Sequence, residues 1–459
     1  MKDKYLHPGP DHGPVPALKF VLALMLSLWL GACSTVQPDL ARLYDFEERR
    51  TQPPPVVLIH GAFGGRLVDG QGEERWPGNL NRLLWADYRD LALTIDPQTL
   101  QPEPSALRVS GITEEVAGQD FYGRIRDVLE QVGRYRLQQA GVQPAGGGRH
   151  YYVFEYDWRQ DNVVSARKLH RFLDQIRVDW NDPELKFDIV AHSMGGLITR
   201  YFARYGSLDV LDDNDFPVSG EGSRYLRRVV LLGTPNLGSF SSLVNMVSGM
   251  KVGFKRMPPE VLMTFPSAYQ LLPHPLNSWV ITHSGEPLER DIFDMEIWRR
   301  FEFGIFDPEQ VHAEQRDALA PYVYKHMERG RRFVWSLTVP AQEVEIDYVL
   351  FGGDCYLTPN RMVVEEIDGQ SVFRMRPQDI RNPLPSVDYE HLMLEPGDGT
   401  VTKASLLART DTDPTVARHR YSYFPLKYSM FLCEDHTQLT GNINFQDNLM
   451  HVLLSEDRI

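Results

Sequence analysis

The stretch KFDIVAHSMGGLITR, Lys186 to Arg200, decides how the rest of the chain is read. Phe187, Ile189, Val190 and Ala191 lead in as apolar or β-branched residues, and an amphipathic run leads out, so the spacing predicts a strand, a sharp turn and a helix. Ala191, Gly195 and Gly196 are small where such a turn would crowd any larger side chain. A serine on a turn of this kind is lifted to the edge of the sheet with its hydroxyl presented to a ligand. Ser193 is thus a candidate nucleophile, weighed against a small residue that merely fills the turn.

Outward from this point, PVVLIHG (Pro55 to Gly61), YYVFEY (Tyr151 to Tyr156), RVVLLG (Arg228 to Gly233) and IDYVLF (Ile346 to Phe351) read as short buried strands. Helical patterns separate several of them, over Asn162 to Val178 and Leu197 to Tyr205. Strands alternating with helices predict a mostly parallel central sheet of the α/β class with helices on both faces. Between Gly238 and Val339 the pattern loses its strands and turns Met-rich, aromatic and proline-interrupted, as in MPPEVLMTFPSAYQLLP. So large an insertion is expected to form a cap over the carboxyl edge of the sheet, where open α/β sheets bind ligands. The expected organisation is a first core part over 55–240, a cap over 241–340 and a second core part over 341–459.

With 459 residues, 42% of them hydrophobic and 11% aromatic, the chain can bury a large core. Its net charge of -14 argues against a nucleic-acid partner, which demands clustered Lys and Arg. At the N-terminus, Lys2, Lys4 and Lys19 precede the apolar run Phe20 to Leu30, which is short for a bilayer span and suits the core of an export signal. It ends in Leu30-Gly31-Ala32-Cys33, similar to the lipobox of bacterial lipoproteins, whose cysteine is lipidated after cleavage. Residues 1–32 are accordingly expected to be a signal peptide, Cys33 the lipidation site, and 33–54, ending in TQPPP, a tether. Ser34 after the cysteine points to the outer membrane of a bacterial envelope. An ordinary signal peptide or a short anchor is the other reading. Cys355 and Cys433 form an even pair in an exported chain and are candidates for a disulfide, against two separate buried thiols.

A serine hydroxyl needs a base, and the base needs an orienting carboxylate, in the chain order Ser, Asp or Glu, His. Asp398 in LEPGDGTV stands between two glycines on a candidate loop; Asp354 in FGGDC, directly after a strand, competes with it. Of the histidines beyond Asp398, His419 lies in the basic run ARHRY and His451 in the terminal helix pattern NLMHVLL, whereas His436 lies in CEDHTQ, a polar loop after an apolar run. His436 is therefore the candidate base. The oxyanion of an acyl-transfer intermediate needs two N–H donors. Met194, after the nucleophile, supplies one, and the loop HGAFGG after the first strand supplies the other, assigned to Ala62; His60 is expected to brace that loop.

With these residues in place, the chain from about Pro55 onward resembles the lecithin:cholesterol acyltransferase-like branch of the α/β hydrolases. PVVLIHGAFGGRL looks like its opening strand and oxyanion loop, with His60 where proline is common; FEYDWR (Phe154 to Arg159) is similar to its PYDWR signature; AHSMGG, LLGTPNLGS and GDGTV match its elbow, the next strand and loop, and its acid loop. The resemblance implies an α/β-hydrolase fold, favours Asp398 over Asp354 and agrees on His436. Within FEYDWR, Asp157 and Arg159 are expected to pair while Trp158 packs, with Trp158 lining an acyl pocket as the alternative role. The excursion from Asn360 to Tyr389 departs from the animal enzymes. The expected activity is a serine acyl hydrolase or acyltransferase on lipid esters, working without metal or cofactor and held at a membrane through Cys33. The reading from a different class is a non-catalytic lipid-binding lipoprotein on a hydrolase fold.

Overall fold

Val56–Ile59 (β1) carries four apolar side chains and buries all of them, which suits a strand enclosed on both faces of a parallel sheet. The computed structural model describes residues 37–45, 53–116, 118–341, 346–413, 415–422 and 424–455. In it β1 joins Tyr135–Gln138 (β2), Arg149–Phe154 (β3), Phe187–His192 (β4), Leu226–Leu232 (β5), Asp347–Gly353 (β6) and Leu426–Leu432 (β7) in one sheet. The order is β7-β6-β5-β4-β1-β3-β2, and every pairing is parallel.

Among the described residues, the longer helices that flank this sheet and its carboxyl edge include Asn162–Trp180 (α1), Met194–Tyr205 (α2), Phe240–Ser248 (α3), Ala313–Ser336 (α4) and Ile443–Leu454 (α5). Alternate strand residues feed two cores, because successive side chains of a strand point to opposite faces. Val57, Ile59, Ile189, Ala191, Val229 and Leu231 pack with α1, α2, α3 and α4; Val56, Leu58, Val190, Val230, Leu232 and Phe351 pack with α5. The sheet is therefore covered on both faces.

Strand order runs away from β1 in both directions, with β4 its neighbour on one side and β3 on the other. That reversal makes the crevice beyond the carboxyl ends of β1 and β4 the natural ligand site. His60 follows β1 there, Ser193 follows β4, Asp354 follows β6 and Cys433 follows β7. Between β5 and β6 the chain leaves the sheet for more than a hundred residues and builds α3 and α4 on the face of α1 and α2.

Three features differ from the sequence reading: Leu40–Tyr44, expected within the tether, is a short helix whose Leu40 and Tyr44 pack in the core on the α5 side, and two others concern strands. β2 was not expected, because YRLQ is short, half polar and at the sheet's edge, and so carries little apolar pattern. The stretch from Gly238 to Val339, expected without strands, contains Met250–Val252 and Lys255–Met257, paired as a hairpin, and Val280–Thr282, paired with Met362–Ile367. Each is three residues long, too short for a period of two to register. The excursion after Asn360 is an antiparallel hairpin of Met362–Ile367 with Gln370–Arg374. The signal-like run and Cys33 lie outside the described residues. Among the described residues, no helix is long and apolar enough to cross a membrane.

Candidate active site

Ser193 stands between β4 and α2 with φ 52° and ψ -123°, outside the regions open to most L-residues. Strain of this kind costs about 1–3 kcal/mol and persists only where packing over-determines it. The packing is visible at the neighbouring glycines. A Cβ on Gly195 would lie 2.5 Å from the His60 carbonyl oxygen, and one on Gly196 would lie 2.0 Å from Thr234 Oγ1. The small residues at 195 and 196 thus let α2 start against the loops that follow β1 and β5. The Ser193 N–H donates to the Leu232 carbonyl at 2.7 Å, fixing the turn to β5.

His436 Nε2 lies 3.0 Å from Ser193 Oγ, and His436 Nδ1 lies 2.7 Å from Asp398 Oδ2. Asp398 is 1% exposed, and its other oxygen accepts the N–H groups of Thr400 at 3.0 Å and Val401 at 2.7 Å. With Asp398 accepting from Nδ1–H, the Nε2 lone pair faces the serine hydroxyl. Burial works against the charged form of His436, but the charge of Asp398 and the hydrogen bond to it outweigh burial, so its pKa is raised above the ordinary 6.5. Asp354 points elsewhere, in an ion pair of 2.6 Å with Lys403. His419 and His451 are both exposed.

The carboxyl edge is drawn together by a disulfide between Cys355 and Cys433, which follow the neighbouring strands β6 and β7. Gly353 lies where the acid and base loops meet: a Cβ there would be 2.1 Å from the Glu434 carbonyl oxygen and 2.8 Å from Asp398 Cβ.

After β1, Gly64 N–H donates to the Gly61 carbonyl at 3.1 Å, which folds residues 61–64 into a tight turn with Phe63 at φ 61°. A Cβ on Gly61 would approach Ser193 Cβ to 2.7 Å, so this turn passes in contact with the nucleophile position. Ala62 lies on the turn. Met194 is the first residue of α2, where N–H groups have no intrahelical acceptor. His60 is fully buried, stacks on Tyr156 at 4.1 Å between ring centroids and is held by burial at a pKa of about 4. The Tyr156 hydroxyl donates to the His60 carbonyl at 2.8 Å. His60 therefore braces the loop as a neutral ring.

Ala62 and Phe63 open onto a narrow apolar cavity lined by Trp158 and, from the segment after β5, by Met246, Met250, Leu262 and Phe265 among others. Trp158 is 1% exposed; its indole N–H donates to the Gly65 carbonyl at 2.9 Å, and its own carbonyl accepts from Ser267 Oγ at 2.6 Å. Asp157 and Arg159 beside it form a two-pronged pair at 2.9 and 2.8 Å. As expected for this stretch, the charges pair and Trp158 packs; Trp158 also forms one wall of the cavity. The four residues from beyond β5 fall in the stretch expected to cap the carboxyl edge but individually carried no signal, since Met, Leu and Phe at irregular spacing mark no one face. Nor did Tyr122 and His192, which border the site and are hydrogen-bonded to each other.

A doubly wound parallel sheet, a strained serine between strand and helix at its carboxyl edge, and a Ser–His–Asp series in the order expected from the chain define an α/β hydrolase. Residues 147–299 match the sequence profile of the family described as lecithin:cholesterol acyltransferase. Two Arabidopsis thaliana proteins are similar to the chain. One, named "Putative phospholipid:diacylglycerol acyltransferase 2", is 23% identical over 266 residues, 52% of this chain and 38% of the relative. The other, lecithin-cholesterol acyltransferase-like 4, is 26% identical over 278 residues, 54% of this chain and 46% of the relative. The match thus spans less than half the length of either relative. Among solved structures, a chain of the Tle4–Tli4 complex has a TM-score of 0.53 at 17% identity, covering 88% of this chain and 98% of that one, which is a likeness of fold. Within the α/β hydrolases, the chain is thus similar to lecithin:cholesterol acyltransferase-like proteins over part of its length.

Proposed function

We propose that the protein is a serine-dependent acyl hydrolase or O-acyltransferase acting on lipid esters through an acyl-enzyme. The observation that carries this reading is the hydrogen-bonded series Ser193–His436–Asp398 beside a turn, Gly61 to Gly64, that opens onto an apolar cavity. Ser193 Oγ attacks the ester carbonyl while His436 Nε2 takes its proton. Asp398 holds the imidazole tautomer and stabilises the imidazolium that forms. The Ala62 and Met194 amides hold the oxyanion. Collapse expels the alcohol, which takes the proton from His436, and leaves the acyl group on Ser193. A second nucleophile then repeats the steps in reverse. Water yields a free acid, and a lipid hydroxyl yields a new ester. The cavity walls include Trp158, Met246, Met250 and Phe265, apolar side chains that suit the acyl part of an ester. Lipidation at Cys33 would hold the enzyme at a bacterial membrane, the outer one on the evidence of Ser34, with such esters in reach.

The test is mass-spectrometric product analysis after incubating wild type and Ser193→Ala with mixed phospholipid vesicles containing a lipophilic alcohol. Free fatty acid and lysophospholipid from wild type alone are expected if water is the acceptor, and an acyl ester of the alcohol if transfer dominates. Identical product profiles from wild type and Ser193→Ala would overturn the reading and leave a lipid-binding role.

A further inference from the structure

The parts of the site come from segments far apart in the chain: Gly61 and Ala62 after β1, Ser193 after β4, His436 after β7. A second hydrogen-bonded series joins them, and no step of the acyl transfer uses it. The Gly61 N–H donates to the Tyr122 hydroxyl at 2.8 Å, and that hydroxyl lies 2.7 Å from His192 Nδ1. His192 Nε2 lies 3.0 Å from the His436 carbonyl oxygen, and the His436 N–H donates to the Asp398 carbonyl at 2.9 Å. The donors follow from the chemistry of each group. A carbonyl only accepts, so His192 Nε2 carries the proton and Nδ1 presents a lone pair; Tyr122 then donates to Nδ1 while accepting from Gly61. Tyr122 is 3% exposed, and burial raises its phenol pKa. Burial, aided by the neighbouring imidazole of His436, holds His192 at a pKa of about 3. Neither group changes protonation near neutral pH, and the series keeps one polarity.

We propose that Tyr122 and His192 are positioning residues that fix the oxyanion turn and the base loop at set distances on either side of Ser193. This rests on the acyl-ester reading of the site. The space supports it: a Cβ on Gly61 would meet Ser193 Cβ at 2.7 Å and His192 Nδ1 at 3.0 Å, so the turn is seated directly on the residue that carries the relay. The rings of His192 and His436 are 4.9 Å apart between centroids, so the relay also sets the ring that accepts the serine proton. Loss of the Tyr122 hydroxyl leaves the Gly61 N–H and the His192 lone pair unmatched at once. The residue before the nucleophile thus does more than continue β4.

Four variants of the protein, purified in detergent, test this: Tyr122→Phe, His192→Ala, His192→Gln, and Tyr122→Phe combined with His192→Ala. The readouts are kcat and KM on a medium-chain p-nitrophenyl ester, melting temperature, and the downfield NMR proton of the His436 Nδ1–H···Asp398 bond. Tyr122→Phe and His192→Ala are each expected to lower kcat about 10- to 100-fold, with KM within about twofold, since misplacement of reacting groups acts on the transition state. The double variant is expected to lose no more than the worse single one, because both break one series. His192→Gln, whose side-chain amide can reach the His436 carbonyl, is expected to recover part of the loss. The downfield proton is expected to shift in His192→Ala. Folded single variants with wild-type kcat, losses that multiply in the double variant, or an unmoved downfield proton would each overturn the proposal. Where His192→Ala fails to fold, Tyr122→Phe, which removes one hydroxyl, decides. Wild type without ester turnover would overturn the acyl-ester reading instead, and the NMR signal, which needs no substrate, would still decide the positioning.

Discussion

At the amino ends of β4, β5 and β6 the sheet buries Asp188, Arg228 and Asp347 beside the half-buried Arg227; at the carboxyl ends of the same strands it seats Ser193 and brings up Asp398 and His436. In the first group two carboxylates meet two guanidiniums. Asp188 is fully buried and takes both prongs of Arg227, one of them at 2.8 Å, while Arg228 lies 3.7 Å from Asp347. In the second group the donors to Asp398 are two backbone amides and one imidazole. A guanidinium keeps its proton at any working pH, so the amino-end cluster is fixed. An imidazole exchanges its proton near neutrality, so the carboxyl-end cluster is poised for transfer. One sheet thus separates a charge-balanced end that holds the fold from a proton-exchanging end that can react.

The largest effect expected on that contrast is at the nucleophile. Ser193→Ala should lower ester kcat by about 10⁶-fold, and Asp398→Asn by about 10⁴-fold, each with little change in melting temperature; steady-state kinetics beside a thermal melt reads both. Next, Asp188→Ala should destabilise the protein by about 1–3 kcal/mol, because the half-buried Arg227 loses its carboxylate and is left with backbone carbonyls as partners, while kcat of the folded fraction stays near wild type. A denaturant titration with kcat corrected for folded fraction checks this, and a specific loss of kcat there would erase the contrast.

Smaller is the pH effect. Neutral His436 is the base and its pKa is raised by Asp398, so activity should fall about tenfold per pH unit as pH drops through a midpoint above 6.5. Observed by NMR, that midpoint should move down in Asp398→Asn, where the neutral amide no longer favours the imidazolium. The smallest effect is expected at Asp354. Its pair with Lys403 is partly solvated, so Lys403→Ala should change stability by about 0–1 kcal/mol and Asp354→Asn should leave kcat within about twofold. A large loss in Asp354→Asn would reopen the choice of acid.

What could be read in sequence tracks the range of the forces involved. The β4 elbow was legible because its strand, small residues and helix are contiguous and each answers to local sterics. The order Ser193, Asp398, His436 was legible because the chemistry needs those residue types and few loops supply them; a basic run set His419 aside and a terminal helix pattern set His451 aside. Choosing Asp398 over Asp354 needed the family resemblance, since both acids follow a strand or turn near the same edge. β2 was missed because four half-polar residues at an edge are placed by their neighbour β3, not by their own pattern.

The sequence by itself determined the alternation of strands and helices, the elbow at Ser193 and the residue types the chemistry requires, because backbone sterics and hydrophobic periodicity act within a few residues of one another. Only the tertiary structure decided that Met246, Met250 and Phe265 wall a cavity with Trp158, that Asp188 pairs with Arg227, and that Tyr122 meets His192 across 70 residues of chain. Contacts of that kind depend on which strands become neighbours, and that order is set by packing the whole sheet between its two layers of helices.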